Sequence, residues 1–196
     1  MTRYTLLNPT ICILCGVAGS GKTSIGTAMA KSLLNGTLLS KDLIQDAFTT
    51  RERSGDVYDS ISGPTLKILV SFCDAQLALG KIPIIDAPFT FNHHRTDEYR
   101  DWVSFFKTIA EKHSARLAII RCLPLSEEEL KRRIQQRGYS WDEWKLQNWE
   151  AFLQRDPLDF PIPHNDVYEI ITNKPAEELA EEILKEYLLA RQFGHS

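Results

Sequence analysis

The sequence has little sulfur and no long apolar stretch. Its 196 residues hold four cysteines and two methionines, and no run approaches the ~18 apolar residues of a membrane-spanning helix. So few cysteines exclude a disulfide-stapled scaffold. The opening Met1-Thr-Arg-Tyr-Thr lacks the apolar stretch and small-residue cleavage site of a secretion signal, so the expected setting is cytoplasmic. Neither sign of charge prevails: 23 Lys plus Arg face 26 Asp plus Glu, a net of −3. A basic coat for nucleic acid is therefore absent. With 43% hydrophobic and 25% charged residues, the composition suits one ordinary globular domain, not a disordered chain or a coiled coil.

Cys12 and Cys15 are spaced as C-x-x-C, a spacing also used by zinc and redox sites. Their run, Thr10–Cys15, reads as a buried strand, and residues three apart on a strand point to opposite faces. Both thiols are expected to be small core fillers. Further strands are expected at Thr37–Leu39, Ile82–Asp86, Leu117–Cys122 and Val167–Thr172, mostly continuous apolar runs of the kind covered on both faces. Helical patterns separate them: Lys22–Asn35, Lys41–Thr50, Thr65–Leu79, Thr96–His113, Glu127–Arg137, Trp141–Gln154 and Ala176–Arg191. Ser126 to Glu129 and Ser140 to Glu143 have the form of capping boxes. Asn35-Gly36 and Leu79-Gly80 read as helix stops, and Pro175 suits a first helical turn. The alternation predicts an α/β fold with a mostly parallel sheet.

Chemistry concentrates after the first strand. Gly16, Val17, Ala18, Gly19, Ser20, Gly21, Lys22 and Thr23 match G-x-x-x-x-G-K-[ST] without a mismatch, with Ser24 following. Glycines there let successive N–H groups turn inward, and the helix N-terminus behind them favours an anion. In that motif the lysine reaches the β/γ-phosphates and the hydroxyl of Thr23 serves Mg²⁺. Asp86 ends a central strand, where open α/β sheets bind ligands; it is a candidate metal anchor and substrate contact, or a plain helix cap. The adjoining segment Pro88 to Arg95 is expected to face the substrate. Asp42 is either a general base for an acceptor hydroxyl or a helix-dipole residue. Arg133 and Arg137, four apart on one helix, share a face and can address one anion, or pair with nearby glutamates on a solvated surface, as can Arg132. Trp141, Trp144, Trp149 and Phe152, with Leu146 and Leu153, fit burial better than base stacking. His93-His94 makes a poor metal site without a third ligand.

These residues together resemble the small P-loop kinases with a kinase-like AAA-type ATP-binding domain, a group that takes in polynucleotide 5′-hydroxyl kinases, chloramphenicol phosphotransferase and zeta-toxin kinases. The resemblance runs from about Thr10 to Leu189. It is carried by Gly16–Thr23, Ser40-Lys-Asp42, Ile84-Ile-Asp86-Ala-Pro-Phe89, Arg95 and Arg133-Ile-Gln-Gln-Arg137-Gly. It implies a three-layer P-loop NTPase fold with a five-stranded parallel sheet in the order 2-3-1-4-5, as one domain over residues 1–196 with a lid-like helical region at about 126–155. It also implies an ATP- and Mg²⁺-dependent phosphotransferase with Asp42 as base, Arg133 and Arg137 over the phosphates, Asn173 by the adenine, and Asp86 and Arg95 toward the substrate. The family's polynucleotide kinases carry an Arg shortly after the base Asp, where this chain has Leu43-Ile-Gln45-Asp46. Arg51 or Arg53 would have to substitute. A small-molecule hydroxyl is thus the expected acceptor, with a nucleic-acid 5′-hydroxyl or a nucleotide-dependent switch as alternatives.

Overall fold

The structure is a computed structural model that describes residues 3–48, 55–90 and 101–190, apart from the side chains of 55–60. Five strands form its sheet: β1 (Thr10–Cys15), β2 (Gly36–Ser40), β3 (Ile82–Asp86), β4 (Arg116–Leu123) and β5 (Val167–Ile171). Their spatial order is β2-β3-β1-β4-β5 and all pairings are parallel. That order is the one implied for a P-loop NTPase.

β1 lies at the centre with every residue buried. Its alternate side chains feed two separate cores, as the pleat requires. Cys12 and Leu14 join Ile25, Met29, Leu179 and Ile183 on one face; Ile11, Ile13 and Cys15 join Leu69, Cys73, Trp102 and Phe106 on the other. The two thiols of the C-x-x-C spacing therefore lie on opposite sides of the sheet. All four cysteines are free and buried. Burial pushes the Cys12 and Cys15 thiols up to about 12, which keeps them protonated and unreactive.

Helices cover both faces. On the first lie α1 (Lys22–Ser32) and α8 (Ala176–Glu182), the latter continuing through a π-helical segment, Ile183–Leu189. A Cβ on Gly26 would sit 2.8 Å from a Leu14 methyl, so the glycine lets α1 lie close on the strands. On the second face lie α3 (Gly55–Ala78) and α4 (Trp102–Lys112), while α2 (Lys41–Phe48) follows β2 directly. Beyond β4 come α5 (Glu127–Arg137), a 3₁₀ turn at Ser140–Asp142, α6 (Glu143–Gln147) and α7 (Trp149–Arg155).

Several boundaries depart from the sequence-based expectation. α1 stops at Ser32, not Asn35, because Tyr4 bridges Leu33 and exchanges backbone hydrogen bonds with Ser32 and Leu34. α3 begins before Pro64, which sits exposed inside the helix; the Thr65 hydroxyl donates to the Ile61 carbonyl at 2.6 Å. The expected helix Trp141–Gln154 is three short pieces. Its capping box does not form, since the Ser140 turn makes no side-chain cap and the Asp142 carboxylate is drawn inward by two cations. At Ser126 the hydroxyl does accept from the Glu129 N–H, at 3.2 Å. The Glu129 carboxylate goes instead to Arg132 and Arg133.

Candidate nucleotide site

The chain leaves β1 into a turn at which Gly16, Gly19 and Gly21 have φ of 134°, 84° and 90°. Such values suit only glycine. A Cβ on Gly16 would lie 2.5 Å from the Cys122 carbonyl oxygen. The Gly16 N–H donates to Pro88 O at 2.9 Å, tying this turn to the segment after β3. Lys22 is 7% exposed. Its ammonium lies within the turn and donates to Val17 O at 2.8 Å and to Ser20 Oγ at 3.3 Å.

The Thr23 hydroxyl donates to an Asp86 carboxylate oxygen at 2.6 Å. The two residues singled out for a metal, 63 positions apart in sequence, are thus in direct contact. Register explains the meeting: Leu14 pairs with Asp86 across β1 and β3, so β3 ends beside the mouth of the turn. Ser40 pairs with Asp86 across β2 and β3, which brings its hydroxyl near enough to the carboxylate to favour the ionised form. Asp42, exposed two residues later in the first turn of α2, is close enough for its charge to act on Asp86. Burial is the main influence holding the Asp86 carboxyl above its ordinary value, and Asp42 adds to it, while Lys22 and the Thr23 and Ser40 hydroxyls pull it down. A buried carboxylate beside a threonine hydroxyl offers the oxygen donors that magnesium takes, so the residues present fit that ion. Among the described residues no group of three or more His, Cys, Asp or Glu side chains is placed to hold a metal.

A carboxyl raised in this way opposes folding when ionised. Its penalty is absent below the unfolded pKa and grows as pH rises through the folded one. Asp86→Asn, which keeps an acceptor for Thr23, is therefore expected to melt a few degrees above the parent protein at neutral pH. The two curves should converge in acid, and thermal melts from pH 3 to pH 8 check this.

α5 roofs the turn. Leu130 and Ile134 form a small core with Val17 and Phe152, and a Cβ on Gly19 would meet them at 3.0 and 2.8 Å. Arg133 and Arg137 stand on the same stripe, one helical turn apart. They do not converge on one point in this structure. Arg133 donates to Glu129, to Thr172 Oγ1 at 2.8 Å and to the Thr172 carbonyl, next to Gly21. Arg137 is taken up by Asp142. Asn173 is exposed just past Thr172, its N–H donating to Ile171 O. Arg132 is on the outer surface, paired to Glu129 and Gln136. Of the aromatic stripe, Phe152 is fully buried and Trp144 is 44% exposed beneath Arg155; Trp141 stacks on Tyr139. Arg51, Arg53, His93, His94 and Arg95 lie outside the described residues.

The sequence reading assigns no site role to Thr172 or Asp142, and names Ser40 only within Ser40-Lys-Asp42. Ser40 was within reach, since it precedes the candidate base at a strand end. Thr172 and Asp142 carry no local signal, because their partners are 39 and five residues away and belong to another element.

The AAA domain family matches residues 11–157, a span that includes the turn, Asp42, Asp86 and both arginines. The chain belongs to the AAA domain family. Solved structures similar to this AAA domain include shikimate kinase from Acinetobacter baumannii in complex with shikimate, at 19% identity and TM-score 0.65, covering 96% of this chain and 98% of that one. A gluconokinase from Sinorhizobium meliloti is 18% identical with TM-score 0.58, covering 96% and 99%. The APS kinase of Mycobacterium tuberculosis, in complex with AMPPNP and APS, is 15% identical with TM-score 0.60, covering 93% and 98%. At these identities the likeness is one of fold. No curated protein matches the sequence. Among the described residues no helix is long and apolar enough to cross a membrane.

Proposed function

We propose that this AAA domain is an ATP-dependent kinase that transfers the γ-phosphoryl group to a hydroxyl of a small molecule. The observation that carries the reading is the Thr23–Asp86 contact of 2.6 Å at the mouth of a glycine turn that already encloses an ammonium. Backbone N–H groups of Gly16–Thr23, continued by Ser24, bind the polyphosphate. Lys22 exchanges its loop carbonyl for phosphate oxygens. Thr23 and Asp86 hold magnesium, which when bound neutralises charge on the phosphate oxygens. Asp42 takes the proton of the acceptor hydroxyl. The new bond joins that oxygen to the γ-phosphorus, the bond to the β,γ-bridging oxygen breaks, and ADP leaves. Arg133 and Arg137, on a lid formed by residues of about 126–155, stabilise the charge of the phosphoryl group in flight. A lid also excludes water, which would otherwise accept the phosphoryl group. Asn173 borders the adenine, and Asp86 and Arg95 border the acceptor.

The likeness to structures named shikimate kinase and gluconokinase supports a small acceptor, as does the acidic balance of the chain. The deciding experiment is transfer from γ-labelled ATP to panels of alcohol-bearing metabolites, nucleosides, antibiotics and 5′-hydroxyl oligonucleotides. A labelled small molecule is the expected product. Label on oligonucleotides alone, with salt-dependent affinity, would replace the small acceptor with nucleic acid. ATP turnover that yields no labelled product in any panel would overturn the kinase reading.

A further inference from the structure

We infer that Asp142 is a positioning residue for Arg137, fixing its guanidinium so that the unused donors face the phosphate-binding turn; the inference rests on the nucleotide-binding reading above. Leu130, Arg133, Ile134 and Arg137 occupy one stripe of α5, and its apolar members already press on Val17 and Gly19. Arg137 is the last residue of that helix. Gly138, at φ 63°, ends it, and the 3₁₀ turn brings Asp142 back with its N–H on the Tyr139 carbonyl at 2.9 Å.

The contact is a two-pronged one. Arg137 Nε donates to Asp142 Oδ2 at 2.5 Å and Nη2 donates to Oδ1 at 2.7 Å. A guanidinium has five N–H donors in a rigid plane, so three remain once these two are spent. The carboxylate is 1% exposed and the guanidinium side chain 29%. The anchor is therefore buried while part of the arginine stays open to a ligand. The Tyr139 ring lies 5.3 Å from the guanidinium carbon and further limits its swing.

Charge balance separates this arrangement from an ordinary structural ion pair. An arginine matched by one aspartate is electrically neutral and attracts no anion. Here Lys145 Nζ also donates to Asp142 Oδ1, at 2.5 Å. One negative charge is shared by two positive ones, and a net charge of +1 remains. Burial alone would push the Asp142 carboxyl up, but the Arg137 and Lys145 contacts outweigh it and hold it below its ordinary value. The anchor is consequently ionised at every working pH.

The test uses the full chain with Mg²⁺ and two probes, AMPPNP and ADP, whose affinities are measured by calorimetry. Because Arg137 is assigned to the γ-phosphate end, the readout is the ratio of the two affinities. Asp142→Asn raises the cluster's charge by one, so a purely electrostatic role predicts a higher preference for AMPPNP. Positioning predicts the opposite, a fall of about ten-fold, the size of one charge-assisted hydrogen bond, with ADP affinity nearly unchanged. Arg137→Ala should give the same fall, and the double variant should equal Arg137→Ala alone. A preference that is kept or raised in Asp142→Asn overturns the inference, as does a full additional loss in the double variant. If Asp142→Asn does not fold, Asp142→Glu serves instead: its charge is unchanged and its carboxylate displaced by one methylene, so an unaltered ratio overturns the inference. A parent protein that binds neither probe overturns the nucleotide reading itself, and this inference with it.

Discussion

Lys22→Ala is expected to abolish nucleotide-dependent phosphoryl transfer, lowering the rate by ~10³-fold or more while the protein stays folded. The ammonium is almost wholly buried and donates to the Val17 carbonyl and the Ser20 hydroxyl. Neither is a carboxylate, and the nearby Asp86, whose charge the lysine offsets, can take up a proton once the ammonium is gone, so the cost to stability is small. What disappears is the one cation stored inside the turn. Its field also helps to keep Asp86 ionised. Without it the buried carboxyl rises further, and the second half of the site suffers as well. The measurement is transfer from labelled ATP beside calorimetry with Mg-AMPPNP, with melting temperature as the control. Activity within about three-fold of the parent would remove Lys22 from the mechanism.

Asp42→Asn is expected to separate binding from chemistry. Positioned general bases contribute ~10²–10⁴-fold, so transfer should fall by that factor, while AMPPNP affinity stays within about two-fold. The side chain is exposed in the first turn of α2, and the amide is isosteric, so folding is undisturbed. The charge of Asp42 lifts the Asp86 carboxyl, so its removal lets Asp86 ionise more readily. Magnesium affinity should therefore hold or improve as transfer disappears. The competing role, complementing the helix dipole, predicts a slightly lower melting temperature and unchanged transfer. Steady-state assays at saturating Mg-ATP distinguish the two roles.

How much of this was readable before any coordinates can be judged from particular residues. The turn Gly16–Thr23 is a contiguous string whose function is made by its own backbone, so nothing distant is needed to recognise it. The strands were equally legible, because β1 and β3 are buried throughout and such strands are written as unbroken apolar runs. The short-range geometry of Cys12 and Cys15 follows from the two-residue period of a strand alone. The segment Trp141–Gln154 reads as one helix but folds as short pieces, since its helical propensity is real but its course is dictated by Asp142 turning inward. The arginines illustrate the same limit. Sharing a helix face was visible, but the separate partners, Thr172 and Asp142, were not.

The linear chain thus determined the α/β class, the anion-binding turn and the residue types available for phosphate chemistry, because each follows from periods and contacts within a few positions. Tertiary structure decided which of those residues meet: Thr23 with Asp86, Ser40 with Asp86, Arg133 with Thr172. The reason is that strand register and helix packing are set by the filling of two cores as a whole, a condition that no short window of sequence contains. Side-chain hydrogen bonds of under 3 Å, such as Thr23 to Asp86 at 2.6 Å, exist only after that filling has fixed where every strand ends.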